Sequence, residues 1–538
     1  MATTVTDMVK EQLNKSCFFI VCTLFILPSY ASDWRVQSRL DFKEIFTDNV
    51  ELVPGNADNS FVSLLSPGIN VQYQSGKANW ELDYTFTQTL YTHDHDLDDN
   101  YNTLTSSGSM SLWPDGLAFN FSASISNVSQ NTARNSLADL VSADTVEYKN
   151  YQAGFSYLTE SSSFKIDAEI SFIIDEAEDE VGDRDGYNAF IKSESGSNSR
   201  YVFWNLDSQY TDYENNKRKG RFYTVDATMG YITNWKLNPF IRLYEEDTSG
   251  NLRDSKIQGT SSIGAGIRWL ASEHLILDVA YNSVDDKSDA VGKVSDEQDD
   301  YVSGSINWQP SARTSFFAKY YQRFFGDAYQ FNYSHRTKRL TTTLSYSETL
   351  DLFDRQELVP VNVQDVWCIT GAAVEIGNCI FSPNENIDLT NFTFAGFYSD
   401  LELQESNSFN LNQTFNFTST LALSRMTYQL SLRKTKRENL EIEDYDTYDF
   451  ASFSITRLMS RTSELNLRFS FNKNSLDQNN PFTFEQLDYY RVYNINWQKQ
   501  LNRTLSVTFS TQHLNRNSNR FGYSYKENRA SMQVIKEF

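Results

Sequence analysis

Most of this chain repeats one unit: a run of about ten to fourteen residues in which apolar and polar side chains alternate, closed by a polar turn. Leu117, Phe119 and Phe121 alternate with Ala118, Asn120 and Ser122. Leu465, Leu467, Phe469 and Phe471 alternate with Asn466, Arg468, Ser470 and Asn472. Leu505, Val507 and Phe509 alternate with Ser506, Thr508 and Ser510. Period two is the period of a strand with unlike faces. Repeated without a fixed repeat length, it excludes a solenoid and points to one sheet with an apolar and a polar side.

The connections alternate in length. Eleven are tight, among them Ser75-Gly76-Lys77, Pro114-Asp115-Gly116, Ser424-Arg425 and Ser460-Arg461. Twelve are mostly longer and often charged, so the connections imply 24 strands, with 22 to 26 as the working range. An even number returns both termini to one side, as single-chain bacterial barrels require. Closure also removes the unpaired strand edges that hydrocarbon does not tolerate. The expected fold is all-β: a single large antiparallel transmembrane β-barrel over residues 32–538, with short periplasmic turns and long extracellular loops.

Both ends of the chain fit export to the outer membrane. Lys10 and Lys15 flank an apolar core, Cys17–Leu27, and Ser29-Tyr30-Ala31 has the small-x-small form of a cleavage site. Residues 1–31 therefore read as a signal peptide, too short to span about 30 Å of hydrocarbon. At the other end Ala530, Met532, Val534 and Phe538 share one strand face, opposite Arg529, Ser531, Gln533 and Glu537. Met532, Val534 and the terminal Phe538 look like the signal read by the barrel-assembly machinery of Gram-negative outer membranes. Lys536 departs from that pattern.

The net charge of −23 opposes nucleic-acid binding. Acid concentrates between Asp94 and Asp99, Asp175 and Asp185, and Asp285 and Asp300. These runs fall in expected external loops, where charge ordinarily solvates. Loosely bound Ca²⁺ or Mg²⁺, bridging to lipopolysaccharide or an acidic polymer, is the functional alternative; no loop has the spacing of a dedicated calcium site. Only Cys368 and Cys379 lie beyond the signal peptide, with ten residues between them. In an oxidising periplasm they are disulfide candidates.

Enzymatic chemistry finds little support. Gly264-Ala265-Gly266 sits in an alternating run and lacks the third glycine of a dinucleotide loop. His93 and His95 could share a strand face, two ligands where zinc sites use three or four. No nucleophile elbow, zinc-protease helix or phosphate loop occurs. No catalytic, cofactor or metal residues are assigned. The notable charges are Arg242, Arg268, Lys319, Arg323, Arg457, Arg468 and Arg491, all inside expected strands. A charge on the lipid face costs about 2–4 kcal/mol at the midplane, so these side chains are expected in the lumen or at the interface. There they would either pair with luminal acids and brace the wall or form a track for an anionic polymer. Trp204, Trp269, Trp308 and Trp497 are expected in interface girdles.

Near the start of the barrel stand Phe46-Thr47-Asp48-Asn49-Val50, Leu65-Ser66-Pro67-Gly68-Ile69, Gly76, Leu82-Asp83-Tyr84 and Tyr91. Over about residues 33–92 this order resembles the outer-membrane proteins associated with PEP-CTERM/exosortase systems. The resemblance implies a role in export of extracellular polysaccharide, with polysaccharide and periplasmic export proteins as partners, and supplies no catalytic residues. Read physically, Asp48-Asn49 can cap the first loop, and Pro67-Gly68 inside a strand predicts a bulge or bend.

The longest interruption, 350–404, holds both cysteines and much apolar sequence. It is expected to fold inward as a constriction or across the mouth as a lid, because a barrel this wide otherwise encloses an aqueous hole. A surface domain contacting a partner is the alternative. The functional expectation is a porin-like channel for exopolysaccharide export. The alternatives are a cation-preferring diffusion porin and a structural or adhesive surface barrel.

Overall fold

A computed structural model describes residues 34–538 apart from 56, 114–115, 131–139, 142–144, 216–218, 251–258, 286–298, 352–356, 373–377, 383–386, 405–409, 441–443, 479–485 and 521. The expected signal peptide lies outside the described residues. Twenty-four antiparallel strands form one sheet. It closes on itself: the first strand, Trp34–Thr47, pairs with the last, Tyr525–Glu537, from Arg39 opposite Glu537 to Thr47 opposite Arg529. No α-helix occurs among the described residues; a single 3-10 turn spans His95–Leu97.

The expected tight turns fall where the strands reverse, within a residue or two. Strand Ser60–Gln74 turns through 75–77 into Ala78–Tyr91, and Asp444–Ser460 turns through 461–462 into Ser463–Gln478. Register follows the hydrophobic pattern because a one-residue slip would turn every apolar side chain inward. Leu467 lies opposite Ile455 and Ile495, and Phe469 opposite Phe453 and Tyr493. These side chains are partly or largely exposed, as a lipid-facing belt must be once lipid is absent. Trp204, Trp269, Trp308 and Trp497 sit on this outer face near the short-turn end, as an interface girdle. A closed sheet with an apolar outer belt satisfies its backbone within the bilayer. The molecule is a bacterial outer-membrane β-barrel.

Pro67-Gly68 makes no bulge. Strand Ser60–Gln74 pairs with Trp34–Thr47 in unbroken register through Leu40 opposite Pro67 and Arg39 opposite Gly68. The glycine has a different purpose: a Cβ there would stand 2.8 Å from Arg39 Nε. Arg39 crosses this gap to donate to Asp83 at 2.8 and 3.2 Å and to Thr85 Oγ1 at 2.6 Å.

Within segment 350–404 the described residues form regular strands rather than an irregular loop. Glu357–Ile369 and Phe392–Gln404 pair as a hairpin, and Cys379–Phe381 adds a short third strand. This three-stranded arm is a sheet separate from the barrel, inserted in the chain between the barrel strands Leu340–Asp351 and Asn410–Ala422, which pair with each other. Along the arm Asn362–Asp365 are exposed at consecutive positions, hence on both faces, and Ile369 and Phe394 are exposed as well. Cys368 and Cys379 stand opposite each other in the ladder and form the disulfide. The alternating β-branched residues Val359, Val361 and Val363 favour a strand here.

Candidate functional site: an ionic cluster across the lumen

Most buried residues of the inner face lie in the half of the barrel nearer the long loops, among them Thr47, Thr89, Asp175, Glu246, Arg323, Asp488 and Arg516. One such region is the wall between residues 202 and 336, where Phe240, Arg242, Tyr244 and Glu246 are all buried. Its middle strands carry small inward side chains: Ser262, Gly264 and Gly266 on Thr260–Ser272, Ala280 on Leu275–Asp285, and Ser303 and Ser305 on Tyr301–Ser311. Long side chains from the flanking strands lean over this strip. A Cβ at Gly266 would meet the Phe240 ring at 2.4 Å, and one at Gly264 would meet Asn282 Oδ1 at 2.3 Å.

The cluster centres on Asp226, on strand Lys219–Tyr231. Arg242, from the adjoining strand Leu237–Gly250, donates Nε and Nη2 to its two carboxylate oxygens, both at 2.9 Å. Lys319 Nζ, from strand Thr314–Arg323, donates to Asp226 Oδ2 at 2.6 Å. Beside them Arg323 holds Glu246 through three close N–O contacts. Tyr244 Oη donates to Glu246 at 2.8 Å, and Arg242 Nη1 lies 3.4 Å from Tyr301 Oη. The Tyr321 ring receives Lys319 Nζ at 4.6 Å and the Arg242 guanidinium at 5.9 Å. Glu246 and Arg242 are 0% and 5% exposed, so these charges survive burial only as hydrogen-bonded partners.

Lys319 and Asp226 belong to strands five steps apart in the ring. Five steps of about 4.8 Å would place them about 24 Å apart on a flat sheet, so their contact requires the wall to fold inward. A second link confirms the fold. Phe222, 6% exposed, packs against Phe324, Leu350 and Leu440, and Leu440 follows strand Met426–Asn439, nine steps further round. Pairing between Gly326–Arg336 and Leu340–Asp351 stops at Phe331 opposite Tyr346, which frees the end of the latter strand to join that cluster.

A further polar cluster lies beside the seam. Arg516 Nη2 meets Asp488 Oδ2 at 2.8 Å, with its guanidinium 5.1 Å from the Tyr490 and Tyr523 rings. Glu527 accepts from Thr47 Oγ1 and Arg529 Nε. The motif Thr47-Asp48-Asn49 continues the stitching. Asp48 accepts from the backbone N–H and side-chain amide of Asn528, each at 2.7 Å. Asn49 accepts from Val53 N–H at 3.0 Å and donates to the Lys526 carbonyl at 3.0 Å. The expected loop cap is present, and the same residues tie the first loop to the last strand.

The seven cations expected in the lumen or at the interface divide. Arg242, Lys319 and Arg323 meet in the cluster, and Arg268 forms a two-pronged pair with Asp278, both contacts at 2.8 Å. Arg468 faces the lumen and is exposed. Arg457 and Arg491 do not face it. Arg457 lies opposite Met426 and Leu465, and Arg491 opposite Phe471, all on the outer face. The bulge between Leu458 and Ser460 lies next to Arg457, where counting parity through the turn fails. Asp226, Glu246 and Asp278 went unassigned in the sequence; the available signal was an acid at an inward position of an alternating strand. His93 and His95 share no strand face, because the strand ends at Tyr91 and His95 opens the 3-10 turn.

No family model and no curated protein matches the sequence. Similar solved structures include a mutant of the ferric enterobactin receptor PfeA from Pseudomonas aeruginosa, at 10% identity and TM-score 0.43, covering 94% of this chain and 80% of that one. The siderophore receptor PirA from the same organism matches at 9% identity and TM-score 0.40, over 95% and 81% of the two chains. The FrpB iron transporter from Neisseria meningitidis matches at 9% identity and TM-score 0.42, over 94% and 82%.

Proposed function

We propose that this barrel is an outer-membrane channel for a polar solute, held closed toward the outside by its own inward-facing side chains. The observation carrying this reading is the Asp226–Arg242–Lys319 bridge, which ties distant strands together inside an otherwise polar lumen. Toward the short-turn end the inner face is more open: Arg35, Gln74, Asn79 and Glu81 are exposed. A hydrophilic substrate arriving from the periplasm would meet that polar vestibule first.

Exopolysaccharide export is the substrate reading that the resemblance near residues 33–92 supports. Luminal amides, hydroxyls and paired charges are suited to sugar hydroxyls, and the paired cations brace the wall in the closed state. Synthesis at the inner membrane and a periplasmic partner would supply the driving force. The second reading is a cation-preferring diffusion channel, favoured by the net charge of −23.

Polysaccharide is measured in medium and periplasm after clean deletion of the gene. Periplasmic build-up with loss outside, reversed by the intact gene, is the expected result. Unchanged amounts in both compartments would remove export and leave the diffusion channel, which conductance in planar bilayers then tests by its cation preference.

A further inference from the structure

The outer wall carries a charge pattern that the channel reading does not use. Near the long-loop end, outward cations on one side of the barrel are neutralised by outward acids. Lys149 has Glu147 at 3.6 Å, Arg221 has Asp212 at 3.1 Å, and Lys219 has Glu214 at 2.7 Å. On the other side, strands Gln486–Asn502, Leu505–Ser518 and Tyr525–Glu537 place Arg491, Asn515 and Lys526 side by side in one row. Arg491 and Lys526 are exposed and have no acidic partner within 4 Å among the described residues. The adjacent carboxylate, Asp48, is already occupied by two hydrogen bonds from Asn528.

This row stands at the outer edge of the apolar belt. One step toward the membrane centre lie Phe469 and Tyr493, and below them Ile495 and Trp497. Arg491, Asn515 and Lys526 line a groove of about 650 Å³, bounded on its far side by Asp48, Asn49 and the loop through Pro54. Two unpaired cations at this height, in a chain of net charge −23, face the headgroups of the outer leaflet. We infer that this groove binds the phosphorylated sugar headgroup of the outer-leaflet lipid. Arg491 offers a planar two-donor fork to phosphate and Lys526 a point charge. The Asn515 amide serves sugar hydroxyls. The site is on the lipid side of the wall and is independent of what crosses the lumen.

The test uses the full-length barrel purified in mild detergent. Binding of lipid A and of its enzymatically dephosphorylated form is measured by native mass spectrometry. Wild-type protein is expected to retain lipid A and to bind the dephosphorylated form about tenfold more weakly, the loss of one or more charge-assisted hydrogen bonds. R491A/K526A is expected to lose that preference, while R457A, on the same wall at the opposite end, keeps it. Heat-modifiable migration on gels confirms that each variant is a folded barrel, and the single variants R491A and K526A replace the double one if it fails to assemble. Equal binding of both lipid forms by wild type, or full phosphate preference in folded R491A/K526A, would overturn the proposal.

Discussion

Lys319 Nζ meets Asp226 Oδ2 at 2.6 Å although their strands stand five places apart in the ring. Asp226 also holds Arg242, so one carboxylate compensates two cations, and Arg242 is only 5% exposed. Removing that carboxylate leaves both cations in place with nothing to answer them. Asp226→Ala should lower unfolding stability in detergent by about 3–5 kcal/mol, the cost of an uncompensated buried charge. It should also raise single-channel conductance in planar bilayers. Unchanged conductance in a folded variant would show that the bridge does not narrow the path.

Arg323 and Glu246 form a second pair, with side chains 7% and 0% exposed, between strands four places apart. Arg323→Met and Glu246→Gln should each destabilise the barrel by about 3–5 kcal/mol. The double variant should lose clearly less than the sum, because neither charge is then stranded. A denaturant double-mutant cycle measures the coupling, and strict additivity would exclude a direct pair.

The arm tests where the closure resides. It makes its own ladder, separate from the barrel sheet, and carries its own disulfide between Cys368 and Cys379. Replacing residues 357–404 with a short flexible linker should leave heat-modifiable gel migration and conductance unchanged. A plug would instead give a large rise in conductance. Cys368→Ser should speed chymotryptic cleavage at the arm, near Trp367 and Phe394, while the barrel itself stays intact.

Asn49 is 2% exposed and joins the first loop to the last strand. Asn49→Ala leaves the Val53 N–H and the Lys526 carbonyl without that partner. It should cost about 1–3 kcal/mol. Amide hydrogen exchange should rise first across the pairing of Trp34–Thr47 with Tyr525–Glu537, before other strand pairs. Exchange spread evenly around the barrel would argue against a role at the seam.

Local chemistry was enough to make the strands and turns legible. Alternation in Leu465–Phe471 and Leu505–Phe509 shows which side chains share a face, and the turn residues between such runs show where the chain reverses, so 24 strands could be counted without coordinates. The even count and the unlike faces then required a closed barrel, because lipid leaves no other place for unpaired strand edges. Which absolute face a given residue takes was less accessible: parity resets at each turn and shifts at bulges, and Arg457 and Arg491, offered for a luminal track, lie on the outer face. Contacts between strands distant in the ring lay beyond sequence reading altogether. Asp226 and Lys319 are 93 residues apart, and no local pattern links them. They meet because a strip of small inward side chains, Gly264, Gly266, Ala280 and Ser303, lets the wall fold and long side chains cross it. That outcome depends on curvature and packing of the whole sheet, which only the tertiary structure decides.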